Sequence, residues 1–316
     1  MYLGNATMAN VLLFCITVLI WGSTWYAIEF QLGEISPEVE VSLVYRFGMA
    51  AVILFTWCML RSRSLRFNPR DHIYFMGLGL LLFGLNYIFS YSAQYYIVSA
   101  LNAIVCSCML WMNIINARIF LRTRIDLPIW LGAAFGITGI IIVFWPSVQD
   151  LSFSDRIFTG VCFSFLGALL ASFGNILSQT AQQRGLPVLQ SNAWGMFYGA
   201  LFNTGAALVS GKQFILDTSP AYLASLLYLA LFGSVIAFGC YLTLLGRIGA
   251  HRAGYAMVMF PLVALILSAL FEGMHLDTHI FIGVTIALAG NLIILGKGRR
   301  KIAYPQPMKV AVEDGS

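Results

Sequence analysis

Charge is what this sequence has least of. Asp, Glu, Lys and Arg together make up 10% of its 316 residues, against about 25% in a soluble globular domain. That scarcity excludes a soluble enzyme or binding module of this length, and no stretch is polar enough to form a separate soluble domain. Acids are scarcer still inside the apolar runs. Glu29 lies near the end of the first run and Glu40 at the start of the second, with none deep in a run. This argues against a buried carboxylate relay for protons.

Other absences narrow the function further. No Gly-rich phosphate loop is present, so ATP-driven work would need another subunit. The six cysteines lie inside apolar runs and read as ordinary buried thiols rather than a disulfide framework. Cys106 and Cys108 are two apart and point different ways on a helix, which excludes a shared metal. The four histidines, His72, His251, His275 and His279, lie in or beside loops. No catalytic set, cofactor or metal site emerges, and the chain is not expected to be an enzyme. The first apolar run lacks a preceding basic region and reads as a permanent span, not a signal peptide.

What remains is apolar. The sequence is 59% hydrophobic with a mean hydropathy of +0.83. A spanning helix needs about 20 mostly apolar residues. The runs predict ten spans, near 9–30, 38–60, 72–93, 98–121, 128–146, 157–181, 188–210, 220–244, 248–271 and 279–296. They are long and continuous, so they are helices rather than the short alternating strands of a barrel.

The chain also repeats itself. At one offset Asp126 falls on Asp277, Ile129 on Ile280, Gly132 on Gly283, Gly139 on Gly290 and Ile142 on Ile293. At an offset one residue shorter Val11 meets Val161, Leu19 Leu169, Pro37 Pro187, Phe47 Phe197 and Ala50 Ala200. Such self-similarity marks a duplication, with one five-helix repeat over 9–146, a second over 157–296 and a basic tail at 297–316.

The net charge of +5 is no sign of nucleic acid. Fifteen of the eighteen Lys and Arg follow the even-numbered spans, among them Arg61, Arg63, Arg66, Arg122, Arg184, Arg247, Lys297 and Arg300. The odd-numbered exits hold only Arg156 and Lys212. By the positive-inside rule both termini are cytoplasmic. Five spans per repeat is odd, so the second half enters the membrane from the opposite side. The predicted fold is therefore all-α and integral to the membrane, with ten transmembrane helices in two inverted-topology five-helix repeats. That arrangement suits secondary transport, because similar halves facing opposite ways can exchange conformations.

Four features stand out: Trp21-Gly22-Ser23-Thr24, Arg46-Phe47, Pro261 and the glycine-spaced last span from Gly283 to Gly290. On these residues the chain resembles the EamA family of the drug/metabolite transporter superfamily. The resemblance runs from about residue 9 to 300. It implies small-molecule export through a central cavity, of amino acids or other metabolites. Nucleotide-sugar and phosphate-ester exchangers share the fold. The first half departs from the pattern: Leu110 stands where the second half has Pro261, and Leu121-Arg122 where it has Glu272-Gly273.

The residues suggest where a solute would sit. Arg46 lies about two turns inside its span, and an ionisable residue there usually faces a partner or wet cavity. Its fork suits a carboxylate; Glu29 is a possible ion-pair partner across helices. Asn86, Ser90 and Gln94 share one face of span 3. Trp21 and Trp25 share a face of span 1, and Asn175 and Gln179 a face of span 6. Each set equally suits helix–helix bonding. Asn102, Trp111, Asn113, Asn116, Tyr241 and Tyr255 are weaker candidates, and Pro261 should kink span 9. The expected protein is a multi-pass transporter of the inner membrane whose partners are a small-molecule solute and membrane lipids, with a homodimer left open. The other readings are a phosphate-ester exchanger and a non-transporting membrane sensor.

Overall fold

The computed structural model describes residues 2–31, 37–97, 102, 105–143, 145, 155–271 and 278–296. Among them the secondary structure is helical, with no strand. The helices are α1 (Tyr2–Glu29), α2 (Val39–Leu60), α3 (Pro69–Gln94), α4 (Val105–Phe120), α5 (Leu127–Val143), α6 (Asp155–Gln183), α7 (Val188–Val209), α8 (Pro220–Ile248), the short α9 (Ala250–Ala253), α10 (Ala256–Phe271) and α11 (Thr278–Gly296). Five stretches are long and apolar enough to cross a membrane: Met8–Ile28 and the helices α2, α3, α6 and α8. Val105–Phe120, α5 and Thr278–Gly290 are shorter and apolar. The basic tail, and the loop that carries His275 and Asp277, lie outside the described residues.

Local sequence sets several ends. Asn68 opens α3 by donating its backbone N–H to Asp71 Oδ2 at 3.2 Å, with Pro69 in the first turn. Ser219 opens α8 by accepting from the Tyr222 N–H at 3.3 Å, with Pro220 following. Both are capping arrangements that satisfy orphan donors. Gly249 takes the left-handed region at φ +87° between α8 and α9, where only glycine turns without strain. Outside the spans, Lys212 after α7 meets Glu38 before α2 at 3.1 Å. That hydrogen bond raises the lysine pKa above its usual value.

Packing follows small residues. Helices α5 and α11 cross where glycines face each other: a Cβ on Gly139 would lie 2.5 Å from the Gly283 carbonyl oxygen, and one on Gly290 would lie 2.6 Å from that of Gly132. Lipid offers no hydrophobic drive between helices, so such close approach is what holds them. Helix α2 packs on α7, α3 on α6, and α1 on both α8 and α10. Large apolar side chains such as Leu12, Leu19, Val52, Phe135 and Phe281 stay exposed on the outside of the bundle.

Two helices carry a π segment, Gly79–Leu85 in α3 and Leu229–Ile236 in α8. A π turn leaves a backbone carbonyl without its usual donor. Each is supplied by a side chain from another helix. Asn203 Nδ2 of α7 donates to the Phe83 carbonyl at 3.1 Å, and Trp21 Nε1 of α1 donates to the Gly233 carbonyl at 3.1 Å. Phe83 and Gly233 are separated by the shorter of the two offsets at which the sequence matches itself.

Pro261 lies inside α10. It removes the N–H that would serve Met257 one turn earlier. Ser107 Oγ, 1% exposed, donates to that carbonyl at 3.2 Å. Leu110, which the longer sequence offset sets against Pro261, has its own N–H.

Candidate functional site

A cavity of about 110 Å³ opens where α1, α2, α3, α4, α6, α8 and α10 meet. A single water needs about 10–15 Å³ by this measure, so the space admits a small organic solute. Its apolar wall includes Trp21, Leu82, Met109, Phe238, Met257 and Phe260, and its polar groups include Arg46, Asn86, Tyr91, Gln94, Asn175 and Tyr241.

Arg46 is the one cation among the described lining residues. It is 3% exposed. Its Nε donates to Ser234 Oγ at 3.0 Å and its Nη1 to the Tyr91 hydroxyl at 2.9 Å. The guanidinium carbon sits 4.8 Å from the Tyr87 ring centre and 5.3 Å from that of Phe47, within cation–π range. No carboxylate of the described residues forms an ion pair with it. The π segment of α8 makes this setting. There Ser234 Oγ donates to the Leu229 carbonyl five residues back, at 3.0 Å, while accepting from Arg46. Gly233 keeps the space open, since a Cβ would lie 3.2 Å from Arg46 Nη2 and 3.0 Å from Thr24 Cγ2.

The other sequence-predicted residues divide. Trp21, Asn86, Ser90, Gln94 and Asn175 line the same cavity as Arg46. The Trp21 ring stands 5.0 Å from Phe238 and 4.9 Å from Tyr241. Asn86 and Ser90 are joined to each other at 3.3 Å, and among the described residues the Gln94 amide has no side-chain hydrogen bond. Asn175 Nδ2 donates to the Tyr241 hydroxyl at 3.1 Å and to Asn113 Oδ1 at 3.3 Å. Gln179 is turned elsewhere: one turn past Asn175, its Oε1 accepts the Ala250 N–H at 2.9 Å and so caps α9. The side chains of Trp25 and Glu29 lie outside the described residues.

The weaker candidates act mostly as ties. Asn102 bonds the Ser90 carbonyl at 3.1 Å, and Asn116 bonds Ser172 of α6 at 2.9 Å. Trp111 packs on Trp130 at 5.0 Å, and the Tyr255 hydroxyl donates to the Gly132 carbonyl. Tyr241 does line the cavity. Sequence reasoning missed Tyr87, Ser234 and Phe238. Tyr87 follows Asn86 and shares a face with Tyr91, a spacing that was open to reading. Ser234 and Phe238 carry no such signal in an α8 that is apolar throughout.

Past the lining residues Ile28 and Asn175, three glutamines tie neighbouring helices together. One turn past the lining residue Ile28, Gln31 Nε2 donates to the Tyr222 carbonyl at 3.1 Å and to Ser225 Oγ at 2.5 Å, and its Oε1 accepts from Ser42 at 2.9 Å. That set joins α1 to α2 and α8. Beyond Asn175, Gln179 and Gln182 tie α6 to Ala250 and to the Leu242 carbonyl, the latter at 2.9 Å.

Comparison with known proteins agrees with this architecture. The model of the EamA-like transporter family matches twice, over residues 8–145 and 158–296. The chain is 26% identical over 298 residues to the uncharacterized transporter YoaV of Bacillus subtilis, covering 92% of this chain and 96% of YoaV. It is 22% identical to the protein PagO of Salmonella typhimurium, over 91% of this chain and 96% of PagO. It is 26% identical to the uncharacterized inner membrane transporter YedA of Escherichia coli, over 88% of each. A solved structure described as "Crystal structure of protein" superposes with a TM-score of 0.75 at 15% identity, over 91% of this chain and 96% of the other. With its family model matched across both halves, this chain belongs to the EamA-like transporter family.

Proposed function

We propose that the chain is a secondary transporter of the cytoplasmic membrane, with both termini cytoplasmic, that moves a small organic solute outward by alternating access. The solute is an amino acid or related metabolite bearing a carboxylate. The observation that carries this reading is Arg46, a buried cation without an acidic partner among the described residues, facing a cavity of solute size. A charge at that depth needs a counter-charge or a wet cavity, and a carboxylate fits its fork.

The mechanism rests on two inverted five-helix repeats, 9–146 and 157–296. Support comes from the π segments at repeat-equivalent places in α3 and α8 and from the twofold match of the family model. Alternating access would release the Gln31 tie at one end while the Gln179 and Gln182 ties hold the other, and then the reverse. Inner-membrane placement is supported by the loop charges and by YedA, described as an inner membrane transporter. A phosphate-ester exchanger is disfavoured because its site needs several cations, and Arg46 stands alone among the described lining residues.

The test is uptake into liposomes carrying the purified protein, with a panel of amino acids, amines, nucleosides, sugar phosphates and dipeptides. Wild type should carry a carboxylate-bearing class and Arg46→Ala should not. If nothing crosses while a carrier of known activity works in the same vesicles, transport fails as a reading and a sensor takes its place.

A further inference from the structure

We infer that the cavity takes a solute of net charge −1: a single carboxylate on an apolar body, without a balancing ammonium. This rests on the reading that the cavity is the solute site. It narrows that reading from amino acids to the related carboxylate-bearing metabolites, because an amino acid with an uncharged side chain is at neutral pH a zwitterion of no net charge.

The argument is one of charge balance. Arginine stays protonated in proteins, so the cavity holds a fixed charge of +1. No acidic residue is among its described lining residues. Ionised groups taken out of water need opposite charges beside them. A monocarboxylate on Arg46 makes the loaded site neutral. A zwitterion brings its own cation, leaves the site at +1, and asks neutral oxygens alone to hold a desolvated ammonium. A dianion overshoots, which also disfavours phosphate esters.

The remaining groups fit this. Nε and Nη1 of Arg46 are fixed by Ser234 and Tyr91. Nη2 lies beside Gly233, which has no side chain to cover it. The guanidinium, held by Ser234 and Tyr91 and lying over Tyr87, is thus open to an oxyanion on its Gly233 side. Asn86 and Ser90 bond each other, and the Asn175 amide nitrogen is taken by Tyr241 and Asn113. The rest of the wall includes Trp21, Met109, Phe238, Met257 and Phe260, which suits an apolar body.

The test uses matched triplets on the wild-type protein in lipid nanodiscs at neutral pH. The first triplet is phenylalanine, hydrocinnamate and phenethylamine; the second is leucine, isocaproate and isoamylamine. Binding is read by calorimetry and uptake in proteoliposomes. In each triplet the monocarboxylate should bind about tenfold or more tighter than the amino acid, a desolvated ammonium without a counter-charge costing at least that much, and the amine should not bind. Arg46→Gln should abolish monocarboxylate binding, but the wild-type ranking decides alone if that variant fails to fold. An amino acid that binds as well as its deaminated acid overturns the inference, as does failure of every monocarboxylate. If amino acids then bind and cross, the transport reading stands and only the charge rule falls. If nothing here or in the wider panel binds or crosses, both fall.

Discussion

Arg46 owes its setting to residues on other helices, and substitutions there should act through it. Tyr91→Phe removes one hydrogen bond to a charged group, worth about 1.5–3 kcal/mol. It should weaken solute binding by about tenfold while leaving the cation in place over Tyr87. Arg46→Lys keeps the charge and loses the fork; binding should fall further, with the preference for anions retained. Gly233→Ala puts a methyl 3.2 Å from Nη2. It should lose solute binding at a detergent melting temperature close to wild type, and a melting temperature that collapses would instead make Gly233 a packing residue. Arg46 was legible in the sequence because an ionisable group inside an apolar span has few innocent explanations. Asn86, Ser90 and Asn175 were half legible. Their spacing gave a shared face, but spacing does not distinguish a cavity from a helix contact, and the bonds of Asn86, Ser90 and Asn175 show both at once. Gln179 shares a face with Asn175 yet serves a backbone N–H, because the helix break at Gly249 supplies an orphan donor there that no periodicity announces.

Among the elements, the one most exposed to test is α10. Pro261 leaves the Met257 carbonyl without its helical donor, and Ser107 provides one at 3.2 Å. In a bundle spanning lipid an unserved carbonyl is destabilising. Ser107→Ala should lower stability by about 1–3 kcal/mol, read as a drop in melting temperature. Pro261→Ala restores the N–H at its source, so adding it to Ser107→Ala should recover most of the loss. A double-mutant cycle measures this coupling, and strict additivity would mean the two residues do not serve the same carbonyl. The proline was legible and its consequence was not, since Ser107 lies far off in the chain. The π segments were not legible either. A π turn and an α turn share composition, and what selects one is the outside donor, Asn203 in one case and Trp21 in the other.

At the scale of the whole molecule, the sequence was clearest about class and least clear about state. Scarce charge and long apolar runs gave an all-helical membrane protein, and the helices of the described residues agree. Which face of each helix meets lipid is fixed by packing, so the cavity wall had to be seen. The cavity's charge then has a consequence for how the carrier cycles. Under the alternating-access mechanism proposed above, the empty carrier passes through its closed state with the Arg46 cation lacking a counter-charge. When loaded with a monoanion, it passes through as a neutral pair, and the desolvation penalty of the bare charge falls away. The loaded carrier should therefore reorient faster than the empty one. Exchange of internal for external solute should exceed net efflux by about tenfold, the effect of a barrier difference of about 1.4 kcal/mol. Net movement also returns a bare positive charge across part of the field, at up to about 2.3 kcal/mol per 100 mV for a full crossing. So net flux should change when a potassium diffusion potential is imposed, and one-for-one exchange should not. Proteoliposomes preloaded with unlabelled solute, compared with empty ones at two potentials, measure both. Equal rates with and without internal solute would mean that the empty cavity bears no penalty, and that a charge inside the protein already neutralises Arg46.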